Sequence, residues 1–334
     1  TYQSARVVAR ALKPGEGFEL GIFDEAHKTA GRGGRNYAFA LNDKNILIRK
    51  RLFVTATPRK YNPHKQDKDG DSSMVLSMDN PEIYGAQSYT LSFSEAADRG
   101  IICNYRVIVT AITSEAVSTE LLGRGETEVH GDDIRSRQVA NQIALCEAVS
   151  KYGVRKVFTF HKSIAFAASF VSKDSEGVGA HLPKFGTLHV NGRMTTARRE
   201  KVMKEFRSNE NAVISNARCL TEGVDVPAVD MVAFLSPRRS MIDIVQATGR
   251  VMRNAPGKDM GYVLVPLYVE LVQGETVDEA VDRSDFSEVW DVLQSLQEGD
   301  EVLAELIQGA AANTGRGRGF DDQFFNKRII FEGV

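Results

Sequence analysis

Short apolar runs that do not alternate with polar residues recur along this chain, several of them followed by a helical stretch. They cover residues 18–23, 51–57, 105–112, 154–160, 185–190, 212–215, 231–235 and 262–266. A strand with one wet face alternates apolar and polar residues, whereas a strand covered on both faces reads as continuous Val, Ile, Leu and Phe. A short helical segment over 7–12 precedes the first run, and helical segments over 164–172, 196–207 and 241–253 lie between later ones. The pattern predicts an α/β protein whose parallel strands are covered by helices on both faces.

With 334 residues there is enough chain for two domains, each with its own core. The apolar signal fades from residue 113 to 137, where Ser, Thr, Glu and Gly dominate. We therefore expect a first domain over 1–112, a linker over 113–137 and a second domain over 138–270. In the remaining stretch, 271–334, Phe286, Val289, Trp290, Leu293, Leu296, Leu303 and Leu306 recur at helical spacing and predict a packed helical appendage. The polar stretch 60–73 reads as an exposed loop, and Arg316-Gly317-Arg318-Gly319 as a solvated basic turn.

Charge narrows the function. The 42 Lys+Arg against 44 Asp+Glu leave a net charge of −2, which excludes a wholesale basic binder but leaves room for a local basic groove. No run approaches the ~20 apolar residues of a membrane helix. The three cysteines, Cys103, Cys146 and Cys219, are odd in number and far apart. That argues against a disulfide framework or a zinc cluster and fits a reducing cytoplasm.

The run 18–23 ends directly at Asp24-Glu25-Ala26-His27. In open α/β sheets ligands sit beyond the carboxyl ends of the strands. Adjacent acids there can divide two tasks. Asp24 suits Mg²⁺ held through water, and Glu25 suits orienting and deprotonating a water that attacks a γ-phosphate. Taken alone, the four residues also read as a helix start carrying acids for its dipole. Further on come Thr55-Ala56-Thr57-Pro58, then Thr221-Glu222-Gly223-Val224-Asp225-Val226-Pro227, then Gln246-Ala247-Thr248-Gly249-Arg250-Val251-Met252-Arg253.

In this order and at these separations the set resembles the superfamily two helicases, the DEAD/DEAH-box motor ATPases, over residues 1–266. The resemblance implies two tandem RecA-like domains, the first truncated at its N-terminus, with ATP and Mg²⁺ as cofactors. It makes Asp24 and Glu25 the Walker B pair, with His27 linking the nucleotide site to Thr55 and Thr57 of motif III and to Gln246. Arg250 and Arg253, three apart, would share a helix face. Planar guanidinium groups suit the spread charge of a transferring phosphoryl group, so these two are the expected arginine fingers.

Motif V would span 216–227. Asn216, Arg218 and Thr221 would face nucleic-acid phosphate, Gly223 would allow close backbone approach, and Asp225 would face the ribose or the fingers. Phe158-Thr159-Phe160-His161-Lys162-Ser163 resembles motif IV, placing Phe160 and His161 on the nucleic-acid side. Gly192 follows the next strand. Thr1-Tyr2-Gln3-Ser4 resembles an Ib-type segment in which Thr1 and Ser4 grip the backbone. Such phosphate contacts do not depend on sequence.

The phosphate-cradling loop G-x-x-x-x-G-K-[ST] does not occur in this sequence. Its nearest approximation, Pro256-Gly257-Lys258-Asp259, has Asp where Ser or Thr would reach Mg²⁺, and it follows Arg253. The resemblance therefore implies a piece of a longer motor, with little ATPase of its own. The wording at 24–31, 84–96 and 100–107 is similar to large helicases of restriction-modification and phage-defence systems. That favours double-stranded DNA over RNA as partner and implies any nuclease or methyltransferase domain lies outside this chain. The alternatives are a nucleic-acid-binding or assembly module without turnover, and an RNA helicase.

Overall fold

The computed structural model describes residues 2–31, 37–59, 76–124, 133–174, 176–217, 229–235, 241–284, 286–297, 299–314 and 328–333. The chain divides into two compact units, Thr1–Thr90 and Leu91–Val334.

In the first unit, helix α1 (Ala5–Ala11) precedes strand β1 (Gly17–Asp24), and strand β2 (Leu47–Val54) pairs with β1 in parallel. Helix α2 (Pro81–Tyr84) follows. One face of the pair is closed by Phe23, Ala26, Ala40, Ile46 and Ile48. An aromatic chain runs from Tyr2 through Phe23 and Phe53 to Tyr84, with centroid spacings of 6.3, 5.0 and 5.0 Å. Phe18, Leu20, Ile22, Leu52 and Val54 are exposed. The covering on both faces that the apolar runs predict is therefore met on one face here.

The second unit contains α3 (Phe93–Asp98), β3 (Asn104–Thr113), α4 (Ser114–Gly123), α5 (Asp133–Tyr152), β4 (Lys156–Phe160), α6 (Ile164–Phe170) and α7 (Val178–His181). It continues with β5 (Gly186–Asn191), α8 (Thr196–Ser208), β6 (Ala212–Ala217), β7 (Met231–Phe234), α9 (Met241–Val251) and β8 (Met260–Val269). Helices α10 (Val277–Arg283), α11 (Ser287–Gln297) and α12 (Glu301–Thr314) lead to β9 (Ile329–Gly333). The seven strands lie in the order β5-β6-β4-β7-β8-β3-β9, every neighbouring pair parallel.

Successive side chains along each strand point to opposite faces and separate two cores. Val107 and Val109, Phe158 and Phe160, and Val263 and Val265 pack with residues of α8, α9, α11 and α12. Ile108 and Ile112, Val157 and Leu264 pack with residues of α4, α5, α6 and α7. Both faces are covered, which is why these strands read as unbroken apolar runs.

The chain does not divide where the fading apolar signal placed the break. β3, assigned from sequence to the first domain, pairs along its length with β8 in the second sheet. Residues 114–123 of the expected linker form α4, capped by Thr113 Oγ1 accepting from the Ala116 amide at 3.2 Å. Only Val117 and Leu121 of that helix are buried, so its apolar signal is too thin to read as a core helix. The tail is helical but not peripheral. Leu293, Leu296 and Leu303 enter the core of the sheet, and the unforeseen β9 adds a strand beside β3. Residues 60–73 and 316–319 fall outside the described residues.

Candidate functional site

Parallel register brings the ends of β1 and β2 together, with Asp24 opposite Val54. Asp24-Glu25 and Thr55 therefore leave the strand pair side by side. Glu25 sits in the left-handed region, φ 51 and ψ 45, the one non-glycine residue there among those described. Such a backbone costs on the order of 1 kcal/mol or more and is held by its surroundings. Its amide donates to Asp24 Oδ1 at 2.9 Å.

This bend turns the chain back into the unit, so that His27 is buried at 1% exposure. Its Nδ1 lies 2.9 Å from Thr55 Oγ1 and 3.3 Å from Glu25 Oε2. The Thr57 amide donates to Thr55 Oγ1 at 3.2 Å. A polar line thus runs Glu25–His27–Thr55–Thr57, from a half-exposed carboxylate to a buried threonine.

Sequence reasoning missed Tyr2. Its hydroxyl donates to the Asp24 carbonyl at 2.6 Å. Burial, and then the charges of Asp24 and Glu25, push the phenol up to about 12, so it stays a donor at neutral pH. The available signal was an aromatic two residues before a helix in the Ib-type segment. Ser4 is exposed at the start of α1, and Thr1 lies outside the described residues. Asp24 and Glu25 present hard oxygen donors at an open strand end, which fits Mg²⁺ bound mostly through water. Among the described residues no three His, Cys, Asp or Glu side chains gather as a metal cage. No described helix is long and apolar enough to cross a membrane.

In the second unit α6, following β4, lies on one face, and α9, following β7, on the other. Neighbouring strands whose connections part in this way open a crevice at their carboxyl ends. A cavity of about 320 Å³ lies there, lined by His161 and Lys162 after β4, Leu235 after β7, and Arg137 and Asn141 of α5 among others. Ser163 caps α6 by accepting from the Phe166 amide at 3.2 Å, which fixes where Lys162 leaves the strand.

Beneath this surface lies a buried polar layer. His161 Nε2 is 2.9 Å from Thr159 Oγ1, His189 Nδ1 is 2.9 Å from Ser215 Oγ, and Asn191 Nδ2 is 3.0 Å from His189 Nε2. Asn216 is fully buried beside it, and its carbonyl accepts from the His161 amide at 3.0 Å. Gly192 is exposed and donates its amide to the Ala217 carbonyl at 3.2 Å. Phe160 corrects its expected place on the nucleic-acid side. It is 2% exposed and packs on Phe234 at 5.5 Å, so it is a core residue under the crevice. Arg218, Thr221, Gly223 and Asp225 fall outside the described residues.

On α9, Gln246 is half-buried and Arg250 is buried at 7% exposure. Arg253 does not share their helix face. α9 ends at Val251, and Arg253 is exposed in an antiparallel bridge with Ile102. The three-residue spacing assumes a helix through 253. Instead the Cys103 amide takes the Met252 carbonyl at 2.8 Å and draws the chain away from helix.

The buried histidines make stability depend on pH. Burial, and then the charge of His189, lowers the His161 pKa from 6.5 to about 3, and burial lowers that of His189. A neutral ring is favoured in the fold, so this stability is complete above the unfolded value and is lost as pH falls from 6.5 toward 3. At pH 5 His161 alone should cost about 2 kcal/mol relative to pH 7. Urea unfolding at the two pH values, with His161→Leu for comparison, checks this. An equal loss in the variant would refute it.

Residues 140–255 match the model described as helicase conserved C-terminal domain. With the relatives below, this match makes the chain similar to superfamily two helicases. It is 27% identical over 276 residues to "Probable helicase A859L" of African swine fever virus (isolate Pig/Kenya/KEN-50/1950), covering 80% of this chain and 28% of that protein. It is 30% identical over 105 residues to "UvrABC system protein B" of Thermosipho africanus, covering 29% of this chain and 16% of that one. Among solved structures, "ATP-dependent Type ISP restriction-modification enzyme LlaBIII bound to DNA" superposes with TM-score 0.76 at 27% identity. That match covers 100% of this chain and 23% of the other. The chain thus spans about a quarter of the length of these two relatives, the viral helicase and the Type ISP enzyme. The α/β architecture of RecA-like helicase domains, expected from the motifs, is the one observed.

Proposed function

We propose that this chain is the core of an ATP-dependent motor that moves along double-stranded DNA. The line Glu25–His27–Thr55–Thr57 carries the reading. It couples a water-activating carboxylate to a threonine turn, as a motor must couple nucleotide state to its grip. Asp24 would hold Mg²⁺, and Glu25 would accept the proton of the attacking water. Bound ATP would supply the phosphoanhydride whose cleavage drives the cycle. Gln246, Arg250 and Arg253 lie in motif VI and provide cations and a supporting amide for the developing phosphate charge. Gly223 and Asp225 serve the nucleotide.

Thr1, Ser4, His161, Gly192, Asn216, Arg218 and Thr221 serve the nucleic-acid side. His161 and Asn216 are buried and act by holding the strand ends that carry the contacts. The Type ISP relative bound to DNA supports DNA over RNA, and on this reading any nuclease or methyltransferase domain would lie outside this chain.

The test is ATP hydrolysis by this chain beside a protein extended upstream through a phosphate-binding loop, each with and without double-stranded DNA or RNA. Hydrolysis by the extended protein alone, stimulated more by DNA, is expected. No hydrolysis by either, with DNA affinity indifferent to ATP, would replace the motor with a binding module. The absence of G-x-x-x-x-G-K-[ST] from this sequence is what favours that second reading.

A further inference from the structure

Lys258, the lysine of the rejected phosphate-loop approximation, has another use. Gly257, at φ +74, reverses the chain and returns Lys258 beneath the end of α9. Its Nζ donates to the carbonyls of Val229 at 2.7 Å, Arg253 at 3.2 Å and Val251. Val251 and Arg253 end the motif VI segment. Val229 follows directly on 218–228, the stretch that holds most of motif V.

The same place is tied to the segment that precedes β3. The Cys103 amide donates to the Met252 carbonyl at 2.8 Å, Ile102 bridges Arg253, and Asn254 Nδ2 donates to the Gly100 carbonyl at 2.7 Å. Cys103 Sγ lies 3.5 Å from the Val251 carbonyl. Packing leaves no slack, since a Cβ on Gly261 would come within 2.4 Å of Val251 Cγ1. Helix C-termini leave carbonyls without intrahelical partners. A half-buried ammonium satisfying the Val251 carbonyl, the Arg253 carbonyl just beyond the helix and a third from another segment is a cross-link rather than a surface cap.

We propose that Lys258 is a positioning residue that locks the motif VI arginines to the end of motif V and to the 100–103 connection, so that the three move as one body. The inference rests on the motor reading for its functional consequence but not for its geometry. A displacement of the 100–103 segment is then delivered to the backbone that carries Arg253 and, one turn back, Arg250.

The experiment has two independent readouts. Hydrogen exchange on this chain should show Lys258→Met speeding exchange in peptides covering 100–104 and 250–254 by on the order of tenfold, with β4 and β6 unchanged. In the upstream-extended protein the same substitution should lower kcat about tenfold, with KM for ATP within about twofold, because orientation is lost while binding is kept. Lys258→Arg should recover part of both. Asn254→Ala, at an exposed member of the clamp, should shift both less but in the same direction, and it serves if Lys258→Met fails to fold. Unchanged exchange at both segments would overturn the clamp. Faster exchange with kcat unchanged would overturn the positioning role. If Glu25→Gln leaves hydrolysis intact the motor reading falls, while the exchange result still decides the clamp.

Discussion

Glu25→Gln should leave an upstream-extended form of this protein able to bind ATP but slower in hydrolysis by about 10²–10⁴-fold, the usual worth of a positioned base. The amide keeps the size of the carboxylate and its place beside His27 but cannot accept the proton of the attacking water. Arg250→Ala should cost on the order of 10³-fold or more through the loss of a fixed cation at the developing phosphate charge. The two should differ in binding. Glu25→Gln should trap nucleotide with KM little changed, whereas Arg250→Ala removes a cation and raises KM as well. Arg253→Ala should do less, since Arg253 lies beyond the helix end and is exposed. Steady-state hydrolysis with nucleotide-binding titrations checks all three. Retention of wild-type kcat by Glu25→Gln would remove this carboxylate from the chemistry.

Arg328→Met should destabilise the second unit by about 3–5 kcal/mol, because it strands a buried carboxylate. Asp300 is 0% exposed and Arg328 is 8% exposed, and Nε lies 3.1 Å from Oδ2. The guanidinium also donates to Asn104 Oδ1 at 3.0 Å and stands 5.0 Å from the centre of the Tyr105 ring. Asp300 Oδ1 accepts from Ser94 Oγ and from the Leu303 amide, each at 3.2 Å, so it caps α12 as well. The knot joins α3 and β3 to α12 and the start of β9, with Ser94 and Asp300 lying 206 residues apart.

Adding Asp300→Leu to Arg328→Met should restore most of the loss, since a buried pair is harmful chiefly when half of it remains. The double variant should fall short by about 1 kcal/mol for the missing cap. Urea denaturation of wild type, both singles and the double measures this. A single-variant cost within about 1 kcal/mol of zero would show that the pair is not truly desolvated.

Periodicity decided much of the architecture without help from tertiary structure. Unbroken apolar runs at 154–160, 212–215, 231–235 and 262–266 imply strands covered on both sides, because such runs leave neither face polar. The acid pair after 18–23 and the threonines that end 51–57 were legible as strand-end groups, since ligand chemistry gathers at those ends. Their meeting through His27 depends on register, which pairs Asp24 with Val54, and register is set by pairing across the chain. For the same reason sequence assigned 105–112 to the wrong unit. A strand carries its apolar signal wherever it pairs, and only its bonding to β8 shows which sheet holds it. The helix end at Val251, the buried place of Phe160, and the uses of Tyr2, Lys258 and Arg328 follow from groups distant in sequence. Local propensity carries no record of those partners, because the free energy that selects them exists only once the chain has closed on itself.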